Sequence, residues 1–220
     1  MPTTLSESES KRLLSEYSIP FAPEILAVDA DSAAEGAESL GFPVAIKLCG
    51  EKIAHKTERG LVRLGISNGD EAREAAAALI AASVPEDGAT GVLVSPMISG
   101  SREFIVGMNR DAQFGPTVVF GVGGVFTEVL DDAVVRLVPI TALDANDMTR
   151  SIDNEALLGE FRGEPAVDRD ALSQILLSLS RFAVDHPEVA SVDLNPIIIN
   201  NGAPIAVDAL VELGEGSTAR

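Results

Sequence analysis

The first half of the chain alternates between helix-like and strand-like patterns of apolar residues. Ser6 and Glu9 form a capping box ahead of an apolar stripe that Pro20 ends, which predicts an opening helix. The pattern then predicts a strand at 25–27, a helix at 32–40, strands at 42–48 and 61–66, a helix at 70–83 and a strand at 91–97. This alternation is typical of a mixed α/β lobe.

The second half is richer in strands. The pattern predicts a meander over 102–111, 116–124 and 132–140, helices at 142–152 and 169–184, and a closing hairpin with strands at 191–199 and 203–213. The order of elements predicts an α/β (α+β) protein of two lobes. A smaller lobe, 22–95, is inserted into a larger one made of 1–21 and 96–220.

Composition and charge narrow the classes of function. The 220 residues are 46% hydrophobic without an apolar run of membrane-spanning length or a secretory signal pattern, which predicts a cytoplasmic globular protein and no membrane partner. Sixteen basic against thirty-four acidic residues give a net charge of −18, which disfavours nucleic acid as a partner. A phosphate ligand would need local cations, backbone amides or Mg²⁺.

Lys47 ends an otherwise apolar strand and is followed by a charged, glycine-flanked loop, 49–60. The lysine either extends to the surface or projects into a cleft as a cation for phosphate. The loop carries His55, one of two histidines, and such loops can close over a phosphate with backbone N–H groups. The single cysteine, Cys49, is interpreted as a small residue ending the strand, with a reactive thiol as the alternative.

The segment VLVSPM (92–97) leaves the predicted smaller lobe and could form a hinge that binds a purine ring. Pro96 has no N–H, which leaves the Ser95 carbonyl and the Met97 amide as the candidate acceptor and donor. An ordinary strand that ends in a turn explains these residues equally well.

Oxygen-bearing side chains interrupt the apolar strands of the closing hairpin. Asp193 and Asn195 are two residues apart and share one sheet face, and Asp208 lies on the adjoining strand. Carboxylate and amide oxygens in such runs predict a Mg²⁺ site completed by phosphates, while a solvent-facing strand is the alternative. Glu128 follows the glycine-rich stretch FGVGG, which has no helix after it and is therefore not a dinucleotide fingerprint.

Taken together, these segments resemble the ATP-grasp β subunit or β domain of the ADP-forming acyl-CoA synthetases, relatives of succinyl-CoA synthetase. The resemblance covers nearly the whole chain in order and spacing. The segments that carry it are LSESESKRLLSEYSIPFA, FPVAIKL, HKTERGLVRLG, SREFIVGMNRDAQFGPTVVFGVGGVFTEVL and VDLNPIII with AVDA. It implies an ATP-grasp fold with the nucleotide cleft between two lobes.

The resemblance also implies roles for single residues. His55 matches a second phosphohistidine on a mobile loop, and Asp193 matches the acidic residue that orients it. The nucleotide would be bound by Lys47 at the phosphates, by Ser95 and Met97 at the adenine, and by Glu103 and Glu128 in roles that spacing does not define. Mg²⁺ would be held by Asn195 and Asp208.

The implied activity is an acid–thiol ligase reaction with ATP/ADP as substrate and Mg²⁺ as cofactor. The resemblance further implies a partner, a CoA-binding α subunit or fused α domain that carries the first phosphohistidine, in an α2β2-type assembly. Two other functions stay open. One is an ATP-grasp carboxylate ligase that forms an acylphosphate directly, and the other is a non-catalytic ATP-sensing module.

Overall fold

The computed structural model describes residues 3–51, 53, 56, 59–124 and 132–214, which form two compact units. The smaller unit comprises Thr3–Glu9 and Ala22–Met97, and the larger one comprises Ser10–Phe21 and the residues from Ile98 onward. The predicted larger lobe included 1–21, whereas the contacts place Thr3–Glu9 with the smaller unit. The boundary therefore falls inside the first helix.

The smaller unit is an antiparallel sheet in the order β2–β5–β3–β4 with two helices packed on it. Its strands are β2 (Ile25–Ala27), β3 (Val44–Gly50), β4 (Val62–Ile66) and β5 (Ala89–Pro96), its helices are α2 (Ala30–Leu40) and α3 (Gly69–Ala81), and Thr3–Thr4 is assigned as β1. Asp29 and Asn68 cap the two helices. Alanines on the facing sides of the helices allow close packing on β3, which is buried along its whole length.

The larger unit is a second antiparallel sheet, in the order β11–β9–β6–β7–β8, with β10 also paired to β9. Its strands are β6 (Glu103–Asp111), β7 (Gly115–Val122), β8 (Ala133–Leu137), β9 (Val189–Asn200), β10 (Ala203–Ala206) and β11 (Leu210–Leu213). The helices are α1 (Glu7–Ser15, shared with the smaller unit), α4 (Ala142–Met148) and α5 (Arg169–Asp185). The predicted meander is confirmed, because β6, β7 and β8 pair in sequence order.

Helix α5 packs on one face of the larger sheet, and the opposite face, where the described side chains of β6 and β9 are more exposed, is called the open face. Phe104, Val106 and Met108 of β6 are buried on the α5 side, and the residues between them are only partly buried. β9 alternates in the same way, with Val192 and Leu194 buried. The fold therefore presents the intervening β9 residues on the open face.

The predicted continuous strand over 203–213 is wrong. β10 pairs with one half of β9, from Ala203 opposite Asn200 to Ala206 opposite Ile197, and β11 pairs with the other half. The two strands separate beside Pro196, which lacks the N–H that a continuous ladder would use. Asp208 lies in the break and not on a strand.

Two further boundaries differ from the predictions by three residues or more. The strand predicted to reach residue 140 ends at Leu137, just before Pro139, and the helix predicted to reach 152 ends at Met148. The Thr149 hydroxyl donates to the Asn146 carbonyl at 2.9 Å, so a side-chain hydrogen bond satisfies a backbone acceptor at the end of the helix. Among the described residues, no helix combines the length and apolar composition that crossing a bilayer requires.

Candidate functional site

The open face of the larger sheet carries the polar residues of β9. The side chains of Asp193 and Asn195 are exposed on this face, because the strand alternates and Val192 and Leu194 point to the core. Gly107 of β6 lies directly opposite Asp193, so no side chain from that position covers the carboxylate. The surface beside Asp193 is therefore open to a ligand.

Asp193 lies in an environment that opposes its charge. The surrounding protein removes part of the carboxylate's hydration although the side chain reaches solvent, and this partial burial is the main cause that raises the pKa of Asp193. The negative charges of Asp208 and Glu212 raise the pKa further, while a hydrogen bond with the Asn195 side chain lowers it. The charged form of Asp193 is therefore disfavoured in the free chain, and a cation beside it would favour that form.

The donors at this site fit Mg²⁺. Asp193, Asn195 and Asp208 supply carboxylate and amide oxygens, the hard ligands that this ion takes alongside water and phosphate. Within the part of the chain that the structure describes, no three His, Cys, Asp or Glu side chains converge as a metal cage. A Mg²⁺ site here would therefore combine carboxylate oxygens with the amide oxygen of Asn195. The Asp208 carboxylate also accepts the Ala209 N–H at 2.9 Å, which fixes it beside the strand break.

Glu103 begins β6 next to the glycine pair that precedes residue 125. The Gly123 N–H donates to the Glu103 carbonyl at 2.8 Å, and a Cβ on Gly124 would lie 2.8 Å from the Glu103 carboxylate. The glycines therefore allow this carboxylate its position. It lines a cavity of about 520 Å³ together with Phe104, Val122 and Phe161, all in the larger unit. Glu128 lies outside the described residues.

Lys47 of the smaller unit is held by a buried carboxylate. Its Nζ lies 2.9 Å from a Glu7 oxygen, and the side chain is only 11% exposed, so the lysine does not extend to the surface. The other oxygen of Glu7 pairs with Lys56, which belongs to the loop 49–60. The sequence did not reveal Glu7 as a partner of Lys47, because the two residues are 40 positions apart. The only signal in the sequence was its acidic side chain in the first turn of a predicted helix.

The candidate purine hinge has one donor already engaged. Ser95 pairs with Ala45 of β3, and the Met97 N–H donates to the Pro43 carbonyl at 2.9 Å. A purine that uses the Met97 amide would have to share or displace this bond, so the predicted donor is not free as the sequence pattern suggested. The Met97 side chain is exposed at 37%.

His55 lies outside the described residues, so its prediction stands on the sequence alone. The second histidine, His186, follows α5, where its ring stacks on Phe182 and its Nδ1 lies 2.9 Å from a Glu188 oxygen. These contacts give His186 a structural role at the end of the helix. Cys49 is fully buried in β3, and burial raises the pKa of its thiol, which argues against a reactive cysteine.

Known proteins are similar to this chain in sequence and in fold. A family model for the ATP-grasp domain matches residues 2–213. The β subunit of acetate–CoA ligase [ADP-forming] I of Pyrococcus furiosus is 38% identical over 208 residues, covering 93% of this chain and 90% of the subunit. The acetate–CoA ligase [ADP-forming] I of Archaeoglobus fulgidus is 39% identical over 210 residues, which is 94% of this chain but 31% of that longer protein.

Two solved structures of acetyl-coenzyme A synthetase 1 from Ca. Korarchaeum cryptofilum also match. The complex with coenzyme A, Ca-AMPCP and HgCl+ has a TM-score of 0.90 at 35% identity and covers 96% of this chain and 94% of its own. The complex with coenzyme A and Mg-AMPPCP, whose phosphohistidine segment points towards the nucleotide-binding site, has a TM-score of 0.81 at 34% identity, with coverage of 94% and 92%.

The match spans almost the full length of the chain and of the Pyrococcus subunit, and the two antiparallel sheets agree with it. The chain therefore belongs to the ATP-grasp domain family, as the β subunit or β domain of the ADP-forming acetate–CoA ligases, relatives of succinyl-CoA synthetase.

Proposed function

We propose that this chain is the nucleotide-binding half of an ADP-forming acyl-CoA synthetase that relays a phosphoryl group through His55. The complete reaction converts acyl-CoA, ADP and phosphate into carboxylate, CoA and ATP. The chain would take the phosphoryl group from a CoA-binding α partner and transfer it to ADP. The names of the Pyrococcus and Archaeoglobus relatives and the phosphohistidine segment of the Korarchaeum enzyme support this proposal.

The observation that carries the proposal is the oxygen cluster on the open face of the larger sheet. Asp193, Asn195 and Asp208 bring oxygen atoms together there, and the surroundings raise the pKa of Asp193. A charged Asp193 is costly in such surroundings unless a cation or a further hydrogen-bond donor faces it. A metal–nucleotide complex supplies the cation, and a phosphorylated imidazole supplies an N–H donor.

The transfer step balances without any further reactant. The neutral His55 ring attacks the γ-phosphorus of ATP through one nitrogen, so that an N–P bond forms as the bond to the ADP oxygen breaks, and the reverse step makes ATP. Imidazole is a competent nucleophile near neutral pH, because its ordinary pKa of about 6.5 leaves it largely uncharged. Asp193 would accept the N–H of the second ring nitrogen and orient the ring.

The remaining residues would bind and orient the nucleotide. Asn195 and Asp208 would hold Mg²⁺, which neutralises charge on the transferred phosphoryl group. Lys47 would add a fixed cation at the phosphates, and Glu103 would line the nucleotide side of the larger unit. The adenine would lie at Ser95 and Met97, with the Pro43 carbonyl as a competitor for the Met97 amide.

The partner would supply what this chain lacks in the proposal. The thioester chemistry would belong to an α subunit or fused α domain that binds CoA and carries the first phosphohistidine, in an α2β2-type assembly. The coverage of the relatives allows both arrangements, since the Pyrococcus protein is a separate subunit and the Archaeoglobus protein is about three times longer than the matched region.

A labelling experiment tests the relay. The wild-type chain, incubated with Mg²⁺ and [γ-³²P]ATP with and without its α partner, should acquire label that is labile in acid and stable in alkali. The label should disappear in His55→Ala and persist in His186→Ala, a matched histidine whose contacts are structural.

Other outcomes identify the two alternative functions. Full synthetase activity in His55→Ala would favour direct acylphosphate formation. ATP binding without a phosphorylated histidine, even with the α partner present, would indicate an ATP-sensing module. Either result contradicts the relay.

A further inference from the structure

We propose that Glu7 is a positioning residue that ties the nucleotide lysine, Lys47, to the histidine-bearing loop through Lys56. The inference rests on the proposed function and deepens it. It adds to that function a carboxylate that touches neither the nucleotide nor the transferred phosphoryl group.

The geometry places one carboxylate between two ammonium groups. One Glu7 oxygen lies 2.9 Å from the Lys47 Nζ, and the other pairs with the Lys56 Nζ. The Glu7 side chain is 1% exposed, while the two lysine side chains are 11% and 12% exposed. Water therefore screens these charges little, so the Coulomb attraction within each pair is greater than in an ion pair at the surface.

The backbone around Glu7 is itself anchored, so the carboxylate has a defined place. Glu7 is the first residue of α1, where the helix dipole favours a negative charge. The Thr4 hydroxyl, shortly before the helix, donates to the carbonyl of Glu51, the residue that follows β3. The start of α1 is thus fixed to the end of β3, the strand that carries Lys47.

The two lysines serve different parts of the proposed reaction. Lys47 would contact the phosphates of the nucleotide, whereas Lys56 directly follows His55 in the chain. The Lys56 carbonyl also accepts the Leu61 N–H at 2.8 Å, which connects Lys56 to the base of the loop. A carboxylate that holds both ammonium groups therefore links Lys56, the neighbour of His55 in the sequence, to the cation proposed for the phosphates.

The carboxylate also removes a conflict of charge. Two ammonium groups held this close would repel each other, and Glu7 offsets that repulsion. A neutral amide of the same shape can accept a hydrogen bond from one lysine but cannot balance both charges. Glu7→Gln should therefore leave the fold in place and misplace at least one lysine, which slows phosphoryl transfer more than it weakens binding.

The test compares Glu7→Gln with Glu9→Gln, the same substitution two residues further along. The Glu9 carboxylate accepts hydrogen bonds from the Ser6 N–H and hydroxyl in the capping box, a role that glutamine can also fill. Single-turnover labelling of His55 by [γ-³²P]ATP gives the transfer rate, and calorimetry with Mg²⁺ and a non-hydrolysable ATP analogue gives the Kd. Glu7→Gln should lower the rate about 10- to 100-fold with a smaller change in Kd, while Glu9→Gln stays within about twofold of wild type.

A second variant shows whether Glu7 acts through Lys56. If it does, Lys56→Met should also slow labelling, and the double variant should be no more than about threefold slower than the slower single variant. A multiplicative loss in the double variant, or an unchanged rate in Glu7→Gln, would overturn the inference. Should Glu7→Gln fail to fold, Lys56→Met decides alone, and an unchanged rate there also overturns it.

The two proposals fail in distinguishable ways. If the wild-type chain is never labelled at His55, the proposed function fails. If the wild-type chain is labelled and Glu7→Gln is labelled at the same rate, only the positioning role of Glu7 fails.

Discussion

Asp193 carries a charge that its surroundings in the free chain oppose. Its pKa is raised by partial burial and by the nearby carboxylates, so the folded state binds the Asp193 proton more tightly than the unfolded state does. The stability from this group is fully present below the ordinary pKa of about 3.8 and is lost as the pH rises through the raised pKa. Asp193→Asn should therefore raise the melting temperature of the free chain at pH 7, by about 1–2 °C, because solvent weakens the effect.

The pH profile distinguishes this effect from a general gain in packing. The difference in melting temperature between Asp193→Asn and wild type should shrink as the pH falls through the raised pKa and below 3.8, where the aspartate becomes neutral in both states. Asp29→Asn is the control of opposite sign, since hydrogen bonds from the Ser32 side chain and amide lower the pKa of Asp29. At neutral pH the wild type should melt at a higher temperature than Asp29→Asn, and this difference should disappear as the pH falls through the lowered pKa of Asp29. A constant offset for Asp193→Asn from pH 4 to 8 would contradict the electrostatic explanation.

Arg102 fixes the loop at 155–165 to the start of β6. Its buried guanidinium donates to the carbonyls of Leu157, Gly159 and Pro165 at 3.1, 2.8 and 2.6 Å, and pairs with Glu164 at 3.3 Å. Arg102→Met would leave these acceptors without their donor. We expect a loss of about 3 kcal/mol in the free energy of unfolding, which for a chain of this size lowers the melting temperature by roughly 6–12 °C.

Arg162, which lies on the loop at 155–165 itself, provides the matched arginine-to-methionine control. It is exposed, and its guanidinium lies 5.2 Å from the centre of the Phe161 ring. Arg162→Met should cost no more than about 1 kcal/mol, the size of an exposed cation–π contact. Calorimetry or chemical denaturation of both variants measures the difference. Equal losses would show that the loop, and not the buried position of Arg102, determines the cost.

Sequence patterns predicted the elements of this fold well, because periodicity reports local burial. The order of strands and helices, the buried β3 run and the meander of β6, β7 and β8 all follow from it. The break between β10 and β11 was missed, since Pro196 acts on the ladder of a strand that is distant in sequence. Glu7 was missed for a related reason: its two lysines are fixed by tertiary contacts that no spacing encodes.

The candidate site was predictable only in part. The oxygen donors of β9 stood out because polar residues at alternate positions in an apolar strand are unusual, and the alternation correctly predicts that Asp193 and Asn195 share a face. The backbone hinge was less predictable. The hydrogen bond from Met97 to Pro43 depends on how two strands pair, and residue types do not specify which amide remains free.

The molecule as a whole carries far more negative than positive charge. Thirty-four acidic residues face sixteen basic ones in 220 residues, for a net charge of −18. Self-repulsion on this scale destabilises a compact chain, and dissolved salt screens it over about 10 Å at 0.1 M and about 3 Å at 1 M. Raising NaCl from 0.05 to 1 M at pH 7 should therefore stabilise the chain by about 1 kcal/mol, or about 2–4 °C in melting temperature.

Repeating the NaCl series at the isoelectric point separates the contribution of net charge from other effects of salt. The chain is close to neutral at a pH of about 4.3, so its self-repulsion is small there, whereas any effect of NaCl on apolar burial persists. The slope of melting temperature against salt should then be much smaller than at pH 7. An equal slope at both pH values would mean that salt acts through apolar burial, and that the acidic surface costs the fold little. A negative slope at pH 7 would mean that ion pairs such as Arg59–Asp87, at 2.8 Å, outweigh the repulsion.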